Sequence, residues 1–231
     1  MKWILEIADC PDNTDFPIKI FRENNAGVIT GPKFMSIRDF LGAFIEADPV
    51  DDIPEMDFSP TLPLGTIRFG QDRTGSTQMV ALEIPKKIWE IRYVNDGEIY
   101  SIGFPRLVAT YLLRKITDNS LRIVEMRLFA VLDNKKSIND NTKLFTFPYP
   151  NVGKDNGIVC WGDNERPVIK SHVELERAFN WFVSAPFNED LGVMTTLGIK
   201  SFHHLISWIK DKPFDDEWLI SANKTFGELF K

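Results

Sequence analysis

The chain has 231 residues, of which 43% are hydrophobic and 26% are charged, a composition typical of a globular protein. It carries 27 basic and 33 acidic residues, and no run of Lys and Arg is longer than two. A nucleic-acid binder needs a concentrated positive surface, so this balance argues against nucleic acid as a partner. The first apolar run, Trp3–Ile7, contains an acid and is too short for a signal sequence or a membrane span. We therefore expect a soluble, cytoplasmic protein with no membrane partner.

The N-terminal part of the chain predicts a small strand and helix extension. Residues 2–8 and 17–22 have the composition of short strands, and Ser36 is a helix N-cap candidate, with Asp39 in the position of a capping-box partner. Residues 48–63 hold five acids and four prolines. Neither a helix interior nor a central strand accepts so many prolines, so this stretch is predicted to be a connector.

The middle of the chain predicts an antiparallel meander. Between residues 64 and 102, segments rich in Ile, Val and aromatic residues alternate with turn residues, of which Asn95-Asp96-Gly97 is a hairpin signal. Helical spacing of apolar residues predicts a helix over Leu107–Ile116, just after a proline. Further strands are predicted over Leu121–Leu132 and Lys143–Phe147.

Two helical patterns follow, over Val173–Val183 and Ser201–Ile209. Strands first and helices afterwards indicate the α+β class, here an antiparallel meander sheet flanked by helices with an N-terminal strand and helix extension. We expect two domains, with residues 1–60 forming the extension and connector and residues 61–231 forming the main domain.

The segment from Phe147 to Gly162 is the part of the sequence most suggestive of chemistry. It combines prolines, a glycine-rich loop and Cys160, a context that holds a side chain away from regular structure where another protein reaches it. A thiol that transfers an acyl group needs this exposure, and a neighbouring amide such as Asn151 supplies an oxyanion donor. The other cysteine, Cys10, lacks such a context and is interpreted as structural or incidental.

Two runs in this segment carry a family resemblance. Tyr149-Pro150-Asn151-Val152, followed by Asn156-Gly157-Ile158-Val159-Cys160, resembles the active-site segment of ubiquitin-conjugating enzymes. The Pro-Tyr-Pro-Asn-Val run, the Glu-Arg-Ala-Phe run at 176–179 and the Thr-Phe-Gly-Glu-Leu run at 225–229 resemble prokaryotic family D of that superfamily, known as protein B of the plasmid-borne PRTRC systems. Tyr149 stands where the eukaryotic pattern has His, and Asn151 lies one position farther from the cysteine.

The resemblance implies a ubiquitin-conjugating (UBC-like) fold for residues 61–231 and a thioester transferase activity. It implies that Cys160 carries a ubiquitin-like protein as a thioester, that Asn151 acts as oxyanion donor or orders the loop, and that Tyr149 belongs to the same catalytic site. The implied partners are a ubiquitin-like protein, an adenylating (ThiF-like) activating enzyme and a JAB-type isopeptidase of the same system. It implies neither a cofactor nor a metal.

Several alternatives stay open beside this one. The chain is alternatively a catalytically inactive UBC-fold scaffold that binds a ubiquitin-like protein or activating enzyme, or a structural component of a plasmid-maintenance or defence assembly. A zinc site at His172, His203 and His204 lacks further ligands at metal spacing. A Cys160–His172 protease pair lacks a local signature. An aromatic set is predicted to be core packing or a docking surface: Trp161, Phe179, Trp181, Phe182, Phe187 and Trp208.

Overall fold

A computed structural model of the chain describes residues 2–7, 16–47, 58–117, 120–162 and 165–231. The chain forms two compact units, Met1–Phe58 and Ser59–Lys231. Cys10 and the acidic residues 48–57 of the predicted connector lie outside the described residues. The division into an extension and a conjugating domain, 1–60 and 61–231, stays a prediction.

The first unit contains an antiparallel sheet with the strand order β1-β2-β3 and one helix. Its elements are β1 (Lys2–Ile7), β2 (Ile18–Glu23), β3 (Ile29–Met35) and α1 (Ile37–Ala47). The helix begins as the sequence predicts, because Ser36 Oγ accepts a hydrogen bond from the Asp39 backbone N–H at 3.0 Å and satisfies a donor of the first turn. The third strand, β3, has no counterpart in the sequence prediction.

The second unit is built on one large antiparallel sheet. Its elements are β4 (Thr66–Gln71), β5 (Thr77–Ile84), β6 (Lys87–Arg92), β7 (Ile99–Phe104), β8 (Arg106–Thr117), β9 (Ser120–Val131), β10 (Lys143–Thr146), β11 (Val168–Ile169), α2 (Leu175–Ser184), α3 (Phe202–Ile209) and β12 (Ser221–Thr225). The sheet order is β12-β10-β9-β8-β5-β4, with β11 also paired to β9, while β6 and β7 form a separate hairpin. This mixture of antiparallel sheets and few helices is compatible with the predicted α+β class.

The helix predicted over Leu107–Ile116 is wrong: these residues lie within the strand β8, which pairs with β5 and β9 along its length. Leu107, Ala109, Tyr111 and Leu113 point into the larger core, whereas Val108 points into the smaller one on the opposite face. A strand covered on both faces gives a continuous apolar run, and such a run fits a helical spacing as well as a strand.

The larger core lies between the sheet and the two helices of the second unit. Phe179 and Phe182 from α2 pack there with Phe202 from α3, and all three are fully buried. The smaller core lies on the other face of the sheet and includes Phe129 and Phe226. Within the described part of the chain, no helix is long and apolar enough to cross a membrane.

Candidate functional site

The segment around Cys160 forms a tight hairpin. The Cys160 backbone N–H donates to Asn151 O at 2.8 Å, and the Gly153 N–H donates to Ile158 O at the same distance. These two bonds flank the bridge between Val152 and Val159. Asn151 therefore lies directly opposite Cys160. Compared with the ubiquitin-conjugating pattern, one more residue separates them in sequence, and it lengthens the turn while the two positions stay adjacent.

Alternation along this hairpin exposes the thiol. Val152 and Val159 are each 3% exposed and belong to the larger core. Successive side chains of an extended strand point to opposite faces, and the next residue, Cys160, is exposed. The apolar neighbours thus anchor the backbone, while the sulfur is presented to solvent on an ordered support.

The hairpin is itself part of the sheet edge. The Val159 N–H donates to Met126 O at 2.9 Å and the Leu128 N–H donates to Gly157 O at 2.8 Å, so the second arm pairs with β9. Alternate residues of β9 face the larger core. This alternation shifts by one residue between Ile123 and Met126, where a β-bulge interrupts the pairing of β9 with β8. The thiol follows the paired arm beside this bulge, and bulges often change the direction of side chains next to active sites.

Two side chains hold the chain around the thiol. Arg166 Nη1 donates to Val124 O, at the bulge of β9, at 2.5 Å. On the other side of the hairpin, Lys224 Nζ from β12 donates to Asp155 O at 2.9 Å. Neither residue carries a sequence signal that identifies this role, because each acts through a backbone carbonyl distant in sequence.

The turn of the hairpin depends on Asn156-Gly157. Asn156 Oδ1 accepts a hydrogen bond from the Ile158 N–H at 2.9 Å, a local turn that asparagine favours. Gly157 has φ +70°, and a Cβ atom at this position would lie 2.6 Å from the Phe129 ring. The Asn-Gly pair singled out from the sequence is therefore required by the backbone conformation and by the close approach to β9.

Asn151 has a buried side chain that is engaged with another loop. Its Nδ2 donates to Pro186 O at 2.9 Å, and its backbone has φ +68°, a left-handed conformation that asparagine adopts more readily than most residues. This contact ties the hairpin to the segment after α2. This contact is compatible with the loop-ordering alternative, and both the loop-ordering role and the oxyanion role stay predictions.

Tyr149 lies inside the aromatic core. It is 1% exposed, its hydroxyl donates to Gly103 O, and its ring contacts Phe104 and Phe202. Burial raises the pKa of this phenol well above its ordinary value, so the hydroxyl stays protonated. These contacts fix Tyr149 in the core, and its predicted part in catalysis stays a prediction.

Two of the three histidines have other partners among the described residues. His172 Nε2 is hydrogen bonded to Gln78 Oε1 at 2.6 Å, and His203 stacks on Tyr93. Within the described ranges, no group of three or more His, Cys, Asp or Glu residues is arranged to hold a metal ion. This arrangement gives no support to the zinc alternative.

The aromatic set contains buried, partly buried and exposed members. Phe179, Phe182 and Phe187 are buried in the larger core, in agreement with the packing interpretation. Trp181 on α2 and Trp208 on α3 are 39% and 57% exposed. Trp161, next to the candidate thiol, packs against the edge of the core. Only the exposed members are available to a partner.

Comparisons with known proteins point to a prokaryotic protein family. No curated protein and no solved structure matches the chain significantly. The profile of the family described as prokaryotic E2 family D matches residues 115–222, which is slightly less than half of the chain. The matched region runs from the end of β8 to β12 and contains the hairpin and Cys160. The match supports a prokaryotic E2-like family for this chain.

Proposed function

We propose that Cys160 carries the C-terminal acyl group of a ubiquitin-like protein as a thioester and transfers it to a lysine or another nucleophile. The Cys160 sulfur attacks the carbonyl of the acyl group held on an activating enzyme, whose own thiol leaves. An incoming amine then attacks the new thioester, and the Cys160 thiol is released. The observation that carries the proposal is the exposed thiol on a hairpin anchored in a sheet edge, within the region matched by prokaryotic E2 family D.

The geometry suits a protein-sized substrate. A thiol that exchanges acyl groups between proteins needs access from the side more than a deep pocket, and Cys160 is on the surface. Its backbone is fixed by one hydrogen bond to Asn151 O and by the pairing of Val159 with β9. We expect the partners to be a ubiquitin-like protein and an adenylating activating enzyme of a PRTRC-type system, with an isopeptidase in the same system.

A charging assay tests the proposal. The chain is mixed with the ubiquitin-like protein and the activating enzyme encoded beside it, with ATP, and resolved on a non-reducing gel. The natural protein should give a higher band that thiol treatment removes. Cys160→Ser should give a thiol-resistant oxyester or no band, and Cys160→Ala no band. Unchanged conjugate formation by Cys160→Ala would overturn the proposal.

One observation favours a second candidate, an inactive scaffold. Asn151, the residue predicted to assist catalysis, uses its amide as a donor to Pro186 O, a contact that orders the loop. A scaffold would bind the ubiquitin-like protein or the activating enzyme without forming a thioester. Size-exclusion chromatography of the mixture separates the two functions, because a scaffold forms its complex equally well with Cys160→Ala and never becomes charged.

A further inference from the structure

An ion pair lies on β9, the strand that pairs with the hairpin of Cys160. Arg127 Nε donates to Glu125 Oε1 at 2.6 Å. Met126, between them in sequence, is fully buried in the larger core, so both charged side chains lie on the opposite face of the sheet. The side chains are 37% exposed for Arg127 and 28% for Glu125, so another protein can contact both.

The pairing of the hairpin with β9 places the thiol beside this ion pair. Ile158 lies directly opposite Arg127 in an antiparallel bridge, so their side chains share a face. Cys160 is two residues after Ile158 on that face, because the intervening Val159 points into the core. The same step along the antiparallel partner strand leads from Arg127 back to Glu125. The thiol therefore lies across from Glu125 and diagonal to Arg127.

The direction of the arginine side chain brings its charge closer to the sulfur. Diagonal neighbours on antiparallel strands are about 7–8 Å apart, within reach of a long side chain. The hydrogen bond to Glu125 turns Arg127 along β9, towards the position across from Cys160. Glu125 thus holds the guanidinium on the side of the thiol.

The guanidinium retains donors that no protein group uses. Its Nε is bonded to Glu125, and neither Nη atom of Arg127 donates to an acceptor among the residues that the structure describes. The amide of Asn151, by comparison, already donates to Pro186 O. A planar fork of N–H groups with a permanent positive charge suits an oxygen atom that becomes negative during a reaction.

We propose that Arg127 is a catalytic residue that donates to the oxyanion formed at the Cys160 thioester, and that Glu125 positions it. This role rests on the thioester function proposed for Cys160. An amine nitrogen attacks the thioester carbon and forms a C–N bond, while the carbonyl electron pair moves to oxygen. The oxyanion then collapses, the C–S bond breaks, the Cys160 thiolate leaves and the nitrogen loses its proton to solvent. The Nη groups of Arg127 stabilise the charge on oxygen between these two events.

Alkylation of Cys160 in the full chain tests the placement of the charges without any partner protein. Iodoacetate, an anion, and neutral iodoacetamide attack the same thiolate, so the ratio of their rates reports the charge around the sulfur. Mass spectrometry of the peptide that contains Cys160 gives both rates. Arg127→Gln should lower the ratio about two- to threefold at low salt, the effect of a unit charge about 7 Å away in water. Glu125→Gln should raise it.

The matched control is Arg122→Gln. Arg122 is an exposed arginine on the same face of β9, since Leu121 and Ile123 on either side of it are buried in the larger core. It lies opposite Val168 of β11 and outside the pairing with the hairpin. This variant should change the ratio of alkylation rates least.

Single-turnover discharge tests the chemistry. Each variant is first charged to completion with the ubiquitin-like protein, then mixed with free lysine, and the loss of the thioester band is followed. Arg127→Gln should slow discharge about tenfold or more, because it removes a charged hydrogen-bond donor to the oxyanion. Arg127→Lys, which keeps the charge without the fork, should discharge at an intermediate rate. Arg122→Gln should match the natural protein.

Two results exclude this role and leave the thioester function intact. One is an alkylation ratio that neither Arg127→Gln nor Glu125→Gln changes. The other is discharge at the natural rate by Arg127→Gln, with circular dichroism confirming that the variant is folded. If the natural protein never becomes charged, the thioester function fails and the role of Arg127 fails with it.

Discussion

At the scale of single residues, the left-handed conformation of Asn151 determines how the candidate thiol is supported. The residue satisfies three requirements at once: φ +68°, a hydrogen bond from Nδ2 to Pro186 O, and a carbonyl that accepts the Cys160 N–H. The third belongs to the backbone and survives substitution. The backbone conformation and the Nδ2 hydrogen bond both depend on the side chain. Two substitutions at this position separate their contributions to stability.

We expect Asn151→Ala to lower the free energy of unfolding by about 2 kcal/mol, since it loses a hydrogen bond and forces a β-carbon into the left-handed region. Asn151→Gly loses only the hydrogen bond, because glycine adopts this conformation without strain, and should cost about 1 kcal/mol less than Asn151→Ala. Urea denaturation measures both values. A glycine variant less stable than the alanine variant would contradict the strain argument.

At the scale of the element, α3 depends on an acidic residue outside it. Glu189 accepts hydrogen bonds from the backbone N–H groups of Phe202 at 2.8 Å and His203 at 3.0 Å, and from the Tyr93 hydroxyl at 2.8 Å. Burial acts to raise its pKa, but these bonds outweigh it and lower the pKa below the ordinary value of 4.5. The carboxylate therefore caps the helix together with the N-cap residue Ser201, whose Oγ accepts a hydrogen bond from the His204 N–H at 3.4 Å.

We expect Glu189→Gln to cost about 1 to 2 kcal/mol of unfolding free energy at neutral pH. Because the folded-state pKa is depressed, this stabilisation is present above the unfolded pKa of 4.5 and is lost as the pH falls through the folded value. The difference between the two proteins should thus shrink below pH 4.5. Glu90→Gln, at an exposed position on β6, is the control and should change little. A pH-independent difference would contradict the capping role.

The sequence predicts elements well where periodicity and turn residues agree. The helices α2 and α3, the hairpin turn at Asn95-Asp96-Gly97 and the short strand β10 are confirmed. The strand β8, predicted as a helix, is buried on both faces. The spacing of its apolar residues therefore does not distinguish a strand from a helix. The Asn-Gly turn beside Cys160 follows from the sequence. The bonds of Asn151 to Pro186 O, of Lys224 to Asp155 O and of Arg166 to Val124 O join residues distant in sequence, and no local pattern specifies them.

At the scale of the whole molecule, the hydrophobic cores belong to one of the two units. Every buried member of both core clusters lies between Val80 and Phe226, inside the unit Ser59–Lys231. A segment that contains its own core has the main requirement for folding independently. The candidate thiol and the hairpin that supports it are both in this unit.

We therefore expect a fragment of residues 59–231 to fold alone, with a dispersed two-dimensional NMR spectrum and one cooperative thermal transition. Its hairpin contacts should be retained, because each partner named here lies within the fragment. The full chain, measured under the same conditions, is the control. A fragment that lacks a cooperative transition would show that the first unit is needed for folding.

The most direct test of the thioester function is the intact mass of the charged protein. After incubation with the ubiquitin-like protein, the activating enzyme and ATP, the mass of the chain should increase by that of the ubiquitin-like protein minus one water. The added mass should map to Cys160 and disappear on treatment with a thiol reductant. An adduct on a lysine, or no adduct while the activating enzyme itself is charged, would contradict the function proposed for Cys160.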